Sequence, residues 1–261
     1  MTTDIRPDAV VRENPARDTW NVLTRELKPV VRDPFTLIFS LVQPLVFLGL
    51  FAPLLVGQSG DPAATLQWFV PGVLVMIVLF GTGATGSNLQ YEMMTGSHER
   101  TLVAPLARSS LLVGRALKEI APIVVQALLI VLIAMPFGFS ANPVGLVVGL
   151  ALLAVFGVGL GALSYTLALK TKDREWLFWG VQQTLIFPLM ILSGMLLPLD
   201  EGPGWMAAVA TVNPLNWVVR AERALFAGDL GSPDVLWGWV AAFALAAVGL
   251  WAGVRAIRKS S

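Results

Sequence analysis

Six long apolar stretches constrain this chain more than any other feature of its sequence. A bilayer core of about 30 Å is crossed by about 20 apolar residues in a helix, and 56% of the residues are hydrophobic while 13% are charged. The runs are continuous, whereas the strands of a transmembrane β-barrel alternate apolar and polar residues over about 10 positions. The sequence therefore predicts an all-α polytopic membrane protein with spans at 35–56, 68–90, 120–139, 143–169, 176–197 and 235–257.

The basic residues predict how the chain is oriented. If the N-terminus is cytoplasmic, all but two of the 18 Lys and Arg fall in segments on the inner side of the membrane. The exceptions, Arg220 and Arg223, fall in the last outer loop. Because inner loops carry an excess of Lys and Arg, we expect six spans with both termini inside. No apolar segment near the start resembles a cleavable signal peptide, so the first span is expected to direct insertion.

Several classes of function are disfavoured by what the sequence lacks. There is no Cys and a single His, His98, which argues against thiolate and multi-histidine metal sites. No Gly-x-x-x-x-Gly-Lys-Ser/Thr loop is present to bind ATP, and no basic stripe indicates a nucleic-acid partner. An intramembrane protease is disfavoured because His98-Glu99 is not followed by a second His, and no base accompanies Ser193. We predict a chain without cofactor or catalytic residues of its own.

Residues 1–33 are expected to form a cytoplasmic tail and an amphipathic helix on the inner surface. From 16 to 31, apolar residues such as Trp20, Leu23 and Leu27 recur at helical spacing between basic residues, a pattern typical of interfacial helices. Pro29 predicts a kink or an end near Lys28. The alternative is a solvated charged tail. Residues 34–261 are expected to form one transmembrane domain.

The loop at 92–119 is the longest predicted inner loop. Gly96 can open a short helix that Pro105 stops, and Ser109 or Ser110 can cap a second helix. Its mixed apolar and charged surface suits docking against a soluble partner, although a connector lying at the lipid headgroups has the same periodicity. The candidate docking residues are Gly96, Glu99, Arg100, Leu102, Pro105, Leu106 and Arg108.

The region 203–228 contains apolar runs that are too short to cross a bilayer. Proline and glycine punctuate it as they punctuate helix ends, which predicts two helices, 205–212 and 214–226, dipping back from the outer face. Its charged residues Arg220, Glu222 and Arg223 are expected to pair with each other, with backbone carbonyls or with water. A structural plug or rim is favoured over a catalytic cluster.

Small and polar residues within the spans predict helix contacts. Three Gly-x-x-x-Gly pairs begin at Gly145, Gly157 and Gly249 and permit close packing. Amides in hydrocarbon need partners, so they either tie helices together, the favoured role, or line a wet path. The candidates for a substrate path or gate are Gln43, Asn88, Gln182, Gln183, Asn213, Arg220, Glu222 and Arg223.

Three local patterns occur in order along nearly the whole chain. The first is Arg32-Asp33-Pro34 followed by Pro44 and Phe51; the second joins Gly96, the run 102–108 and Gly114-Arg115; the third joins Ser193-Gly194, Pro198, Asn213-Pro214-Leu215, Arg223 and Gly228. Together they resemble the membrane subunits of type-two ABC exporters, which include daunorubicin-resistance-like drug permeases and permeases for O-antigen and teichoic acid chains. The chain departs from that family at Glu92-Met93-Met94, where an acidic-basic-acidic triplet is common, and at Arg220.

The resemblance implies a permease in the bacterial plasma membrane. It implies a coupling helix in the 96–108 loop that docks on a separate ATPase subunit carrying ATP and Mg, and a dimer with a second copy or a paralogue. Nearly uncharged spans favour an amphipathic, drug-like or lipid-linked cargo over a small ion. The alternatives are a permease for polysaccharide or teichoic acid chains and a membrane scaffold that does not transport.

Overall fold

A computed structural model describes residues 15–32, 34–96, 108–172, 174–199 and 202–259. Within these residues the chain forms α-helices and short turns and no β-strand. The helices are α1 Pro15–Arg32, α2 Pro34–Ser59, α3 Pro62–Gly81, α4 Gly83–Met94, α5 Arg108–Lys118, α6 Ile120–Ala134, α7 Pro143–Lys170, α8 Glu175–Ile191, α9 Gly204–Ala210, α10 Pro214–Ala227 and α11 Pro233–Lys259. The predicted all-α fold is confirmed.

In the part of the chain that the structure describes, five helical segments are long and apolar enough to cross a membrane. They are Ile38–Ser59, Pro62–Met94, Val113–Phe137, Pro143–Lys170 and Pro233–Arg258. The predicted span 176–197, fifth in the chain, corresponds to α8, which has 17 residues and ends at Ile191. The expected continuation to Leu197 is wrong, because the Ser193 hydroxyl donates to the Met190 carbonyl at 2.6 Å and Gly194 adopts a left-handed φ of 68°.

The centre of the bundle is formed by α3 and α7. Phe69, Leu74, Met76, Leu152 and Phe156 are completely buried in one apolar core. In contrast, α2 and α11 keep most of their surface outside this core, and their apolar side chains form long exposed rows. A helix that is apolar all around and exposed on one side is suited to contact lipid or another membrane helix.

Glycine allows two helices, α10 and α11, to approach the central α7 closely. A β-carbon at Gly145 would overlap the Leu225 carbonyl of α10, and one at Gly149 would lie 2.5 Å from a carboxylate oxygen of Glu222. A β-carbon at Gly249 of α11 would overlap the Gly159 carbonyl of α7. The predicted role of small residues in helix contacts is therefore confirmed at Gly145, Gly149 and Gly249.

The N-terminal helix α1 packs along α5. Val22 is 2% exposed and lies against Gly114, while Trp20 on the opposite side is 64% exposed. This agrees with an amphipathic helix. The helix continues past Pro29 to Arg32, so of the predicted kink or end near Lys28 the end is wrong. A proline costs one backbone hydrogen bond, and the helix continues in spite of this loss.

The loop between α4 and α5 includes most of the predicted docking residues. Glu99, Arg100, Leu102, Pro105 and Leu106 lie outside the described residues. After the loop, α5 begins at Arg108, so Ser109 and Ser110 lie inside its first turn and the predicted cap at either serine is wrong. Gly96, just after α4, has a left-handed φ of 69°, the conformation that glycine adopts without strain.

The two short helices predicted between 203 and 228 are present as α9 and α10, which we call the short-helix hairpin. The Asn213 side chain accepts from the Leu215 amide at 3.0 Å, and Pro214 occupies the first turn of α10. Gly228 ends α10 with a left-handed φ of 86°. Asparagine, proline and glycine thus occupy the positions at which each is favoured at helix ends.

Candidate functional site

Charged residues from α1, α4 and α5 meet at the end of the bundle that carries the 97–107 loop. We call Glu26, Glu92, Arg115 and Lys118 the loop-side cluster. Arg115, whose side chain is 4% exposed, pairs with Glu92 and lies 3.6 Å from Glu26. Lys118 donates to Glu26 at 3.3 Å. The cluster therefore fixes the helix before the loop and the helix after it to the amphipathic helix.

The electrostatics of Glu26 follow from these neighbours. Burial raises the pKa of this carboxyl, but the positive charges of Arg115, Lys118 and Arg25 outweigh burial and hold the pKa below its ordinary value. The aromatic ring of Tyr165 on α7 lies 5.7 Å from the Arg115 guanidinium. Arg115 thus links four helices, since a guanidinium can bind carboxylates and stack on a ring at the same time.

Two further contacts attach this end of the bundle to its centre. The Thr85 hydroxyl donates to Glu119 at 2.8 Å between α4 and the start of α6. The Gln90 amide donates to the Thr171 hydroxyl at 2.9 Å and to the Ala168 carbonyl at 3.3 Å. Sequence reasoning placed Arg115 and Lys118 on the inner side of the membrane. It did not identify Glu26 and Glu92 as their ion-pair partners, and it did not identify Gln90 as a residue that binds the end of α7.

A second group of polar residues lies in the short-helix hairpin, at the opposite end of α7. Arg223 donates from Nε to the Trp68 carbonyl at 2.9 Å and from Nη2 to the Gly194 carbonyl at 2.8 Å. Its guanidinium lies 4.0 Å from the centre of the Trp68 ring. The expected pairing with backbone carbonyls is confirmed for Arg223, which joins α10 to α3 and to the turn after α8.

The other predicted residues of the hairpin have different surroundings. Arg220 pairs with Asp234 of α11 at 2.8 Å and lies over the Trp217 ring. Asn213 also donates to the Leu189 carbonyl of α8 at 2.8 Å. Glu222 is fully buried, and neither carboxylate oxygen has a hydrogen-bond partner among the described residues. Of the expected pairings with another charged residue, a backbone carbonyl or water, the pairing of Glu222 with either arginine is wrong, because its side chain lies against Gly149 on α7.

Among the described residues, the four amides predicted within the spans form no hydrogen bond between helices. Gln43, Asn88 and Gln183 are exposed, and no interhelical hydrogen bond joins them to a described residue. Gln182 packs against Gly83, and its buried carbonyl oxygen has no partner there. The ties are instead made by Gln90 and by Gln126, whose amide lies 2.6 Å from the Ser40 hydroxyl.

The predicted site residues thus separate into distinct groups. Gly96 and Arg108 border the loop at one end, while Asn213, Arg220, Glu222 and Arg223 lie in the hairpin about 30 Å away, since about 20 residues of α7 separate the two levels. Among the described residues, no group of His, Asp and Glu is arranged to hold a metal ion. The charged groups Glu26, Glu92, Arg115 and Lys118 at one level, and Arg220 with Asp234 at the other, pair between helices.

Comparison with known proteins agrees with this arrangement. Residues 17–227 match the family described as ABC-2 type transporter. A daunorubicin resistance ABC transporter permease of Streptomyces coeruleorubidus is 29% identical over 231 residues, which cover 85% of this chain and 81% of that protein.

Two further relatives come from other lineages. A protein of Cyanophora paradoxa described as a transport permease, ycf38, is 31% identical over 201 residues, covering 75% of this chain and 69% of the relative. A protein of Mycobacterium tuberculosis described as a doxorubicin resistance ABC transporter permease is 27% identical over 207 residues, covering 76% of this chain and 72% of the relative. With five apolar helices long enough to span and a family match over most of its length, the chain is a multi-pass membrane protein that belongs to the ABC-2 type transporter family.

Proposed function

We propose that the chain is the permease subunit of an ATP-driven exporter. It moves an amphipathic, drug-like or lipid-linked substrate from the cytoplasmic side of a bacterial plasma membrane outward. The energy comes from ATP and Mg bound to a separate ATPase subunit that docks on the 92–119 loop. Family membership supports the general role, and the names of two relatives, which refer to daunorubicin and doxorubicin resistance, support the substrate class.

The loop-side cluster is the observation that carries the proposed coupling. Glu92 precedes the 97–107 loop and Arg115 follows it, and the two residues form an ion pair. Because Glu26 also lies beside Arg115, a push on the loop acts on α1, α4 and α5 together. From α5 the displacement passes to α6 across the single residue Glu119, and from α4 it passes to α3. A two-state transporter needs such a rigid link between the site of ATP binding and its spans.

The exposed apolar rows support the proposed topology and dimer. In this proposal α8 is the fifth of six spans, both termini are cytoplasmic, α1 lies on the inner surface, and the short-helix hairpin dips in from the outer face. A second copy or a paralogue packs against the uncovered side of the bundle and encloses the substrate path with it. Lipid covers what remains of the exposed apolar surface, which on α2 includes Phe35, Ile38, Phe39, Val42, Val46, Leu50 and Leu54.

Co-purification tests the partner. The tagged chain is extracted from native membranes in mild detergent, and the proteins that remain with it are identified by mass spectrometry. An ATPase with a phosphate-binding loop, present at one copy per permease, is the expected result. If no such subunit is retained at any detergent strength, the non-transporting scaffold becomes the better interpretation.

Transport in inverted vesicles tests the coupling and the cargo. ATP-dependent uptake of daunorubicin, used as the probe, should be lost in Glu99→Lys, Arg108→Glu and Pro105→Gly. Each variant should still insert into the membrane and be extracted by detergent like the parent. Arg258→Glu, at an exposed arginine near the end of α11, is the matched control and should transport like the parent. Unchanged uptake in all three loop variants would contradict the docking assignment. Export of a lipid-linked polysaccharide without any drug uptake would favour the polysaccharide or teichoic-acid-type permease.

A further inference from the structure

A cavity of about 430 Å³ opens beside the short-helix hairpin. Its walls come from α9, α10, the start of α3 and the turn after α8, and its polar lining includes Thr211, Asn216, Arg220 and Arg223. Trp68 forms one wall. Two guanidinium groups that line one small cavity are a marked feature in a bundle whose spans are nearly uncharged.

Arg223 is a cation held in this cavity without an anionic partner among the residues that the structure describes. Its two hydrogen bonds to the Trp68 and Gly194 carbonyls use two of the five N–H groups of a guanidinium. Within the described residues, no carboxylate lies at ion-pair distance from it. A partly buried charge with neutral partners is costly, and a charged partner that enters from outside would lower that cost.

The neighbouring charges do not balance the cavity. Arg220 has its own partner, Asp234, on the side of α11, so the two arginines and one aspartate leave an excess of one positive charge. Glu222 lies on the same helix, but it is buried against Gly149 and forms no ion pair with a described residue. Among the described residues, the excess charge at the cavity is therefore positive.

The aromatic residues around the hairpin indicate its depth. Trp217 lies under Arg220 and 5.7 Å from Trp237 of α11, which is 50% exposed. Trp205 on α9 is 61% exposed. Tryptophan is enriched where membranes meet water, at the level of the lipid headgroups. The cavity thus lies at a level where phosphate groups of lipids are abundant.

From these contacts we infer that the cavity between Arg220 and Arg223 binds a phosphate group, carried by a lipid headgroup or free in solution. A phosphate accepts charge-assisted hydrogen bonds from guanidinium groups, and the Asn216 amide in the cavity lining supplies a neutral donor beside them. The inference concerns binding to this chain and does not depend on which cargo is transported or on the ATPase.

Native mass spectrometry of the purified full chain in detergent tests the lipid source. The probes are dioleoylphosphatidylglycerol and dioleoylglycerol, which share their acyl chains and differ in the phosphate-bearing headgroup. Arg220→Gln removes a charge without touching the carbonyl bonds of Arg223, and Ala207→Phe fills the cavity without removing a charge. The controls are Arg255→Gln, an exposed arginine over Trp251 at the far end of α11, and Ala208→Phe, the next residue of α9, which does not line the cavity.

The lipid outcome is defined by a difference between these variants. We expect the parent to retain phosphatidylglycerol over dioleoylglycerol, with binding about tenfold weaker in Arg220→Gln and Ala207→Phe and unchanged in both controls. A second measurement, the melting temperature of the same proteins with and without inorganic phosphate, tests the soluble source. Stabilisation of the parent and both controls but not of the two cavity variants, without any lipid preference, would assign the site to free phosphate.

The inference fails if neither probe distinguishes the cavity variants from their controls. The two cavity variants change different properties, so a folding defect in one of them leaves the other to decide. Because neither measurement involves ATP or drug transport, failure of this site leaves the proposed exporter role standing. Failure of the exporter role likewise leaves the phosphate site to be judged on binding alone.

Discussion

The Nε atom of Arg115 lies 3.6 Å from a carboxylate oxygen of Glu26, close enough for an ion pair but beyond hydrogen-bond distance. A terminal nitrogen of the same guanidinium binds Glu92. One arginine of α5 therefore carries the charge that holds together two carboxylates, one from α1 and one from α4. Since Glu92 precedes the 97–107 loop and Glu26 lies on the amphipathic helix, the strength of this contact decides how rigidly the loop is attached to the bundle.

Replacing Arg115 by methionine should destabilise the protein by about 3 kcal/mol, because it leaves buried carboxylates without their counter-charge. Lys118→Met is the matched control, since Lys118 has one ion pair to Glu26, at 3.3 Å, and its side chain is 13% exposed. Lys118→Met should lower the unfolding free energy by only about 1 kcal/mol. Equilibrium unfolding in mixed detergent micelles measures both. Equal decreases in unfolding free energy for the two variants would show that Arg115 is not the centre of the cluster.

The contribution of Glu26 to stability should depend on pH. Because the folded-state pKa of this carboxyl lies below its ordinary value of 4.5, its stabilising effect is complete above 4.5 and is lost as the pH falls through the folded-state pKa. We expect the difference in unfolding free energy between the parent and Glu26→Gln to be constant from neutral pH down to about pH 5 and to shrink below that. A difference that stayed the same down to about pH 3 would contradict the assignment.

Much of the fold could be predicted because the bilayer imposes one strong pattern. Long apolar runs required helices, and Asn213-Pro214 with Gly228 placed α10 almost to the residue. The boundary at Ile191 was missed because Ser193 and Gly194 end α8 by local bonding inside an apolar run. A hydropathy profile does not detect a helix end that is set by local hydrogen bonds.

The partners of the polar residues were harder to predict than the helices. The spans are apolar on all sides, so periodicity does not indicate which face is buried. Asn88 and Gln90 are two positions apart on α4, yet Asn88 is exposed and Gln90 binds the end of α7. Arg223 and Trp68 are 155 residues apart. Contacts of this kind are set by tertiary packing, which a single sequence does not encode as a local pattern.

Helix packing at Gly145 should respond strongly to one added methyl group. A β-carbon there would overlap the Leu225 carbonyl, whereas Gly57 on α2 has open space around the same position. We expect Gly145→Ala to destabilise the protein by about 1–3 kcal/mol through overpacking. In contrast, Gly57→Ala should be neutral or stabilise it by about 0.5–1 kcal/mol, because alanine loses less backbone entropy in a helix. Similar melting temperatures for the two variants would contradict the close contact between α7 and α10.

Glu222 should be a residue whose removal stabilises the chain. Its carboxyl group is completely buried against Gly149 and finds no hydrogen-bond donor among the described residues, so the folded state bears the cost of removing it from water. Glu222→Leu keeps a similar volume and should raise the unfolding free energy by about 1–3 kcal/mol. Glu222→Ala, which opens a cavity instead, should gain less or lose stability.

The transport assay then separates stability from function at this position. If Glu222 serves only as packing between α10 and α7, the leucine variant should be more stable and should take up daunorubicin at the parental rate. A stabilised variant that no longer transports would mean that Glu222 is needed for the transport cycle. In that case the hairpin moves away from α7 during the cycle and exposes the carboxyl, and the cost of burying it in the folded state is retained for this reason. A destabilised leucine variant would contradict the absence of a partner for this carboxyl in the folded chain.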